Sequence, residues 1–359
     1  MDAPIVRLYR YRLPLAKPLR LRGTEIHERE GLILVFGGSY GTGYGDIAPL
    51  PGFSRETIEE AQEAVVRWAE MLGQLPKAAA EREESLAFLE TVPSVEFGIE
   101  CATFSFRHAI GSERSLGLYN PARRMVSVNG LIGGTGDPLA EAKRFRAEGH
   151  RAVKLKVGQE SVAADIGRVH AVRAALPIEV ALRLDANRAW TWQDAMAFAH
   201  GIQDVSIEYI EEPLSDPDRL PAFAAQGDLA VALDETIVER RDTKGLGRCF
   251  PWAAAFVLKP TLIGGVRRCE RIANEALEFG IRPVVSACFE SGIGIAALAH
   301  FASALTTEDI PAGLDTYDWL AADVSPRRFA IRNGRLDLEE ADACVAESDF
   351  SALEEVYRG

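Results

Sequence analysis

The sequence predicts an α/β fold, a (β/α)8 TIM barrel with an N-terminal α+β capping domain. Two observations carry this. From about Met125 onward, short apolar strands alternate with helix-length segments eight times, and parallel strands need such crossover helices. Before that point strands come first and helices after, the order of an α+β unit. The competing architecture, a doubly wound open sheet, usually has fewer strands, and no dinucleotide fingerprint is present.

Each element has its own signal. Ile5 to Leu13 alternates polar and apolar residues as a half-exposed strand does, and Gly31 to Phe36 reads as a second strand. The glycine-rich run Gly37 to Asp46 reads as a hairpin turn; it lacks the spacing of a phosphate loop. Ala48 to Phe53 is a rigid loop, and Ser54 is the expected N-cap of a helix over Glu56 to Leu72. Further helices are expected over Ala79 to Leu89 and Val95 to Ile110.

The eight barrel strands are expected at Val126–Asn129, Ala152–Val157, Ile178–Asp185, Ile207–Glu211, Leu229–Asp234, Ala255–Lys259, Pro283–Ala287 and Ala312–Leu314. Helical segments separate them. The tail carries a strand signal at Phe329–Ile331 and then turns acidic. This divides the chain into a capping domain (1–122), a catalytic barrel (123–320) and a C-terminal segment (321–359) packing on the cap.

The chain has 359 residues, 47% of them hydrophobic, enough for a sizeable core. Its 40 Lys and Arg against 53 Asp and Glu leave a net charge of −13. That balance argues against a nucleic-acid partner, which needs basic patches. Gly292 to Leu305 is the longest apolar stretch and is too short to span a bilayer. The N-terminus lacks the apolar core of a signal peptide. Five scattered cysteines form no C-x-x-C pair, which fits reduced thiols and a cytoplasmic location.

Charged residues punctuate the ends of successive barrel strands. Lys154 and Lys156 share one face of the second strand, because side chains alternate. Two lysines pointing into a barrel are costly unless something uses them. Arg183, Asp185 and Asn187 share a face of the third strand. Glu211 and Glu212 end the fourth, Asp234 and Glu235 the fifth, and Lys259 the sixth. Asp185, Glu211 and Asp234 fall 26 and 23 positions apart, one βα unit each. All three therefore reach the C-terminal mouth, where barrel active sites lie. Three convergent carboxylates repel one another, and a bound Mg²⁺ resolves that. Lys259 lies nearly opposite Lys156 across the mouth. None of the six histidines ends a barrel strand, which argues against histidine acid–base chemistry or a zinc site.

As an ordered set, K-x-K at Lys154–Lys156, D-A-N at Asp185–Asn187, E-E-P at Glu211–Pro213, D-E at Asp234–Glu235 and L-K-P at Leu258–Pro260 resemble the enolase superfamily, in its muconate-cycloisomerase-like subgroup. Within that subgroup the chain is similar to the o-succinylbenzoate synthases of menaquinone biosynthesis. The segments that match are Gly45 to Ser54, Leu182 to Trp190, Ser286 to Gly292 and Gly313 to Thr316. Ala287-Cys288 departs from the serines common in relatives, and the D-x-D-G-P signature of dipeptide epimerases is absent.

The resemblance implies syn dehydration of 2-succinyl-6-hydroxy-2,4-cyclohexadiene-1-carboxylate to 2-succinylbenzoate, a carbon–oxygen lyase reaction on a small dicarboxylate. Asp185, Glu211 and Asp234 are the expected ligands of Mg²⁺, with Mn²⁺ as a substitute. Lys156 is the expected base, Lys259 stabilises developing charge from the opposite face, and Lys154 is the third catalytic lysine. Arg183, Asn187, Glu212, Glu235, Ser286 and Ser291 are expected to touch substrate or to support the groups that do. An N-succinylamino acid racemase, or another acylated amino acid or dipeptide epimerase, is the alternative on the same scaffold. Oligomerisation is compatible with all of this.

Overall fold

The computed structural model of the chain describes residues 5–21, 24–74, 92–111, 122–133, 136–240 and 242–359. The helix expected at Ala79 to Leu89 lies outside them. Strands β1 (Ile5–Leu21), β2 (Thr24–Gly38) and β3 (Gly41–Ile47) form an antiparallel meander. Helices α1 (Ile58–Gln74) and α2 (Pro93–Ala109) pack on it. Val6, Leu8, Leu32, Leu34 and Phe36 face these helices, and the alternate residues Tyr9, Tyr11, Leu13 and Ile33 face the main core.

The first two strands run well beyond the expected ends. Their distal halves pair through Leu19 and Ile26 after a bulge at Pro14, and the charges there hide the alternation. The glycine-rich run also has a packing reason. A Cβ on Gly43 would meet the Ala102 carbonyl at 2.0 Å, and one on Gly45 the Gly98 carbonyl at 1.9 Å. Strand β3 thus lies directly on α2. The α1 cap is Thr57, not Ser54. Thr57 and Glu60 form a reciprocal capping box, with Thr57 N donating to Glu60 at 2.8 Å and Glu60 N to Thr57 at 3.2 Å. Ser54 instead accepts from Leu50 N at 2.8 Å and closes the loop before it.

The barrel region begins with β4 (Met125–Ser127) and β5 (Gly130–Ile132), followed by α3 (Pro138–Ala147), β6 (Ala152–Lys156) and α4 (Val162–Ala175). It continues with β7 (Ala181–Asp185), α5 (Trp192–Gly201), β8 (Tyr209–Glu211), α6 (Leu220–Gln226), β9 (Val231–Leu233), α7 (Glu235–Val238) and α8 (Leu246–Cys249). Then come β10 (Ala255–Leu258), α9 (Pro260–Ile263), α10 (Val266–Glu278), β11 (Arg282–Val285) and α11 (Gly292–Leu305). Strands β5 to β11 form a seven-stranded parallel sheet in sequence order.

The expected eighth strand is reduced to two bridging residues. Ala312 bridges Val128 and Gly313 bridges Ser286, both parallel, and these close the sheet. The expected first strand is split, because β4 leaves the barrel to pair antiparallel with β12 (Arg335–Asp337). The tail divides likewise. β12 and α12 (Leu338–Ala346) lie against the barrel side, and only β13 (Glu354–Arg358) joins the cap sheet, beside β1. The tail strands are Arg335–Asp337 and Glu354–Arg358 rather than Phe329–Ile331. No helix among the described residues is long and apolar enough to cross a membrane.

Alternation sorts the barrel residues. Leu155, Leu184, Ile210, Leu233, Phe256 and Leu258 join the helices in the large core. Tyr209, Ala232, Ala255, Val257 and Val284 form a separate buried cluster, the inner plug of a small barrel. Helices α3, α4 and α5 carry their own caps: Asp137, Ser161 and Thr191. Helices α10 and α11 do not. Glu100 of α2 accepts from Val266 N and Arg267 N at 2.5 and 3.1 Å, and Asp46 of β3 accepts from Ser291 N at 2.7 Å. The cap thus supplies acceptors for the first amides of α10 and for the Ser291 amide before α11, while Gly292 N donates to Asp323 at 3.0 Å.

Both carboxylates are buried, and burial pushes each up to about 7. Each therefore keeps a proton in the folded protein at a pH where the unfolded chain has lost it. Their contribution to stability is full below about pH 4 and is lost as pH rises through about 7. We expect the Tm of Glu100→Gln to fall less than that of the parent between about pH 5 and 8. Thermal unfolding of both proteins across that range checks this, and parallel curves would contradict it.

Candidate active site

One cavity opens among β5 and the C-terminal ends of β6, β10 and β11, with the segment just past the last strand. Lys154, Lys156 and Lys259 line it, together with Asn129, Ser286 and Asp315; Leu131, Ala287 and Phe289 add apolar wall. Register explains the grouping. Lys156 pairs across the sheet with Asp185, and Asp185 with Glu211. The three side chains therefore sit at the same height on neighbouring strands.

Each lysine is turned to a carboxylate. Lys156 Nζ donates to Asp185 Oδ2 at 2.5 Å and to Asn187 Oδ1 at 2.6 Å. Lys154 Nζ lies 3.2 Å from Glu211 Oε2 and 3.3 Å from Asp185 Oδ2. Lys259 pairs with Asp234. Burial alone would raise the Asp185 carboxyl, but Lys156 and Lys154 hold it below the usual carboxylate range. Burial disfavours the charged form of Lys154, yet Glu211 and Asp185 outweigh it and raise its pKa. The same balance, through Asp234, raises Lys259. Glu211 is the exception: burial, reinforced by Asp185 and Asp234, holds it above the ordinary range despite Lys154.

The supporting residues divide into three groups. Asn187 links Lys156 to Glu235, whose Oε1 accepts from Asn187 Nδ2 at 3.2 Å. Glu212 lies behind the site and faces away from the cavity. Its oxygens accept from Asp234 N at 3.0 Å, Thr236 N at 2.8 Å, Thr236 Oγ1 at 3.0 Å and Arg188 Nε at 3.0 Å, which fixes the turn carrying Asp234. Arg183 is fully buried beneath the mouth, paired with Glu208 and bonded to Asn129 Oδ1 at 3.0 Å. It forms a structural ion pair and reaches the cavity only through Asn129.

Ser286 lines the cavity, but Ser291 does not. The Ser291 hydroxyl donates to Asp46 at 2.8 Å, and the residue is wholly buried between cap and barrel. Its expected substrate contact is corrected by that bond. Asn129, Leu131, Phe289, Asp315 and Thr316 line the site without having been expected there. Asn129 ends the expected first strand, Phe289 lies in the matched segment Ser286 to Gly292, and Asp315 and Thr316 lie just past the last strand; Leu131 offered no signal.

Among the described residues, no group of three or more His, Cys, Asp or Glu side chains stands in metal-holding reach. The three carboxylates are turned to ammonium groups instead. Their chemistry nonetheless fits a divalent ion. They are buried oxygen donors on adjacent strands, Glu211 resists ionisation beside its neighbours, and Asp234 Oδ1 is buried with no hydrogen-bond partner.

Comparisons with known proteins agree with this arrangement. Residues 137–342 match the family described as Enolase C-terminal domain-like, and residues 4–106 match MenC, N-terminal domain. The o-succinylbenzoate synthase of Haemophilus influenzae is 36% identical over 87% of this chain and 89% of its own length. Among solved structures, a dipeptide epimerase of Enterococcus faecalis, complexed with Mg and a dipeptide, superposes with a TM-score of 0.80. It is 22% identical and covers 92% of this chain and 96% of its own. MenC from Desulfotalea psychrophila superposes at 0.75, with 20% identity over 94% of this chain and 100% of its own. The two solved structures speak to the fold. The family matches and the relatives near one-third identity place the chain, which belongs to the enolase superfamily and, within it, to the o-succinylbenzoate synthases.

Proposed function

We propose that Lys156 is the general base of the dehydration that o-succinylbenzoate synthases carry out, with Lys259 facing it across the cavity. One observation carries this reading: three lysines and three buried carboxylates meet at one barrel mouth, beside an apolar wall. Asp185, Glu211 and Asp234 would hold a divalent ion, and Mg²⁺ suits their oxygen donors. That ion supplies Lewis-acid stabilisation of negative charge on the substrate carboxylate.

The chain's own residues do the rest. Lys156, in its neutral form, takes the proton next to the carboxylate and hands it to the departing hydroxyl on the same face. Asn187 Oδ1 holds the Lys156 amine on its line of approach. Lys259, held charged by Asp234, stabilises the negative charge that develops on the opposite side. With Lys156 neutral, Lys154 and Lys259 together with a divalent ion outweigh the three carboxylates, so the mouth would be positive although the whole chain is acidic. That local sign suits a dicarboxylate. A cytoplasmic location is part of the same proposal.

The opposed Lys156 and Lys259 also have the arrangement for moving a proton between two faces of an α-carbon, which is the racemase reading. One experiment separates them. With Mg²⁺ present, the purified chain should bleach the cyclohexadiene chromophore and release 2-succinylbenzoate. N-Succinylamino acids in deuterium oxide should exchange their α-proton far more slowly. Rapid exchange without dehydration would reverse the order of the two readings.

A further inference from the structure

Phe289 lines the cavity with its backbone at φ +62°, the left-handed region that a bulky residue rarely enters. The segment around it is tied from several sides. Arg29 of the cap is buried, and its guanidinium reaches the barrel segment. Its Nε donates to the Phe289 carbonyl at 3.1 Å and its Nη2 to the Cys288 carbonyl at 3.3 Å. The same guanidinium holds the Ala48 and Pro49 carbonyls of the cap loop at 2.8 and 3.0 Å. From below, Glu290 accepts from Cys288 N and from Thr261 Oγ1, each at 2.5 Å. The Phe289 ring meets the edge of Trp319, with centroids 5.6 Å apart and planes at 74°.

Strain enforced this thoroughly at a cavity wall is a mark of a shaped binding surface. Resting on the reading of the site given above, we propose that Phe289 is a specificity-determining residue. It seats the carbon skeleton of a dicarboxylate whose carboxylate lies on the lysine side. Arg29, which touches no reacting atom, is the positioning residue that keeps the ring in place.

Glycine adopts this backbone at no cost, so Phe289→Gly removes the ring and the strain together. It should retain Tm while KM for the hydroxycyclohexadiene substrate rises roughly tenfold and kcat changes less. Phe289→Asn, which also tolerates the left-handed region, should behave alike and serves if the glycine variant folds poorly. Arg29→Met should raise KM in the same direction, and Arg29→Lys should recover part of the loss. Because both act through one ring, the Arg29→Met/Phe289→Gly double variant should show no higher KM than Phe289→Gly alone.

Glu100→Gln is the control. It loosens the cap at α10, away from the mouth, and should leave KM unchanged. An unaltered KM in Phe289→Gly would overturn the role of the ring. Multiplying effects of the two single variants would overturn the role of Arg29. Wild-type turnover in the same assay tests the reading of the site separately: an inactive parent protein that still binds 2-succinylbenzoate, more weakly as Phe289→Gly, upholds the wall but not the reaction.

Discussion

Lys156→Ala should lose dehydration by roughly a thousandfold in kcat, within the span typical of a positioned acid–base group. The variant should fold normally, because Asp185 keeps Lys154 at 3.3 Å and no buried carboxylate is left without a cation. Lys156→Arg sharpens the test. A guanidinium can keep the ion pair with Asp185, but it does not give up its proton in a protein. If Lys156 served only as a positive charge, the arginine variant would retain much of its rate. If it is the base, both variants are dead. The measurement is the initial rate of chromophore loss at saturating substrate, with Tm recorded for each protein. Undiminished turnover in Lys156→Ala would sink the assignment.

Stripping the divalent ion should be as damaging. Dialysis against EDTA is expected to abolish turnover, and Mg²⁺ to restore it. The same titration should raise Tm, since an ion that binds only the folded protein stabilises it by mass action. Burial and like charge hold Glu211 above the ordinary carboxylate range, so protons compete for this site. Mg²⁺ affinity, measured calorimetrically, should therefore weaken as pH falls through neutrality. Full activity in the chelated protein would remove the divalent ion from the mechanism and leave Asp185, Glu211 and Asp234 only as partners of the lysines.

Much of this was legible in the sequence because a barrel converts spacing into position. A charged residue at the end of each βα unit reaches the mouth wherever the helices differ in length, so Lys154, Lys156 and Lys259 could be grouped before any coordinates. Residues whose roles depend on tertiary partners could not. Glu212 is expected to touch substrate or to support the groups that do, and only its tertiary partners show which: it fixes the turn under Asp234. Arg183 shares a face with Asp185 but sits one layer lower, where Glu208 claims it. Ser291 belongs to a matching motif, and its hydroxyl is spent on Asp46, 245 positions away. Phe289 and Arg29 gave no periodic or compositional signal, since neither a positive φ nor a carbonyl clamp leaves a trace in one sequence. The distal half of the β1–β2 pair was missed for a related reason: its charges mask the alternation of two strands that pair through Leu19 and Ile26.

The carboxylates that the cap lends to the starts of α10 and α11 tie the cap to these barrel helices. A barrel excised at residue 123 would leave the first amides of α10 and the amide of Ser291 without their acceptors, and a cap grafted from a distant relative would have to bring carboxylates to the same two points. Recombination that joins this barrel to another cap is therefore constrained at Asp46 and Glu100, although neither residue is among those that line the cavity.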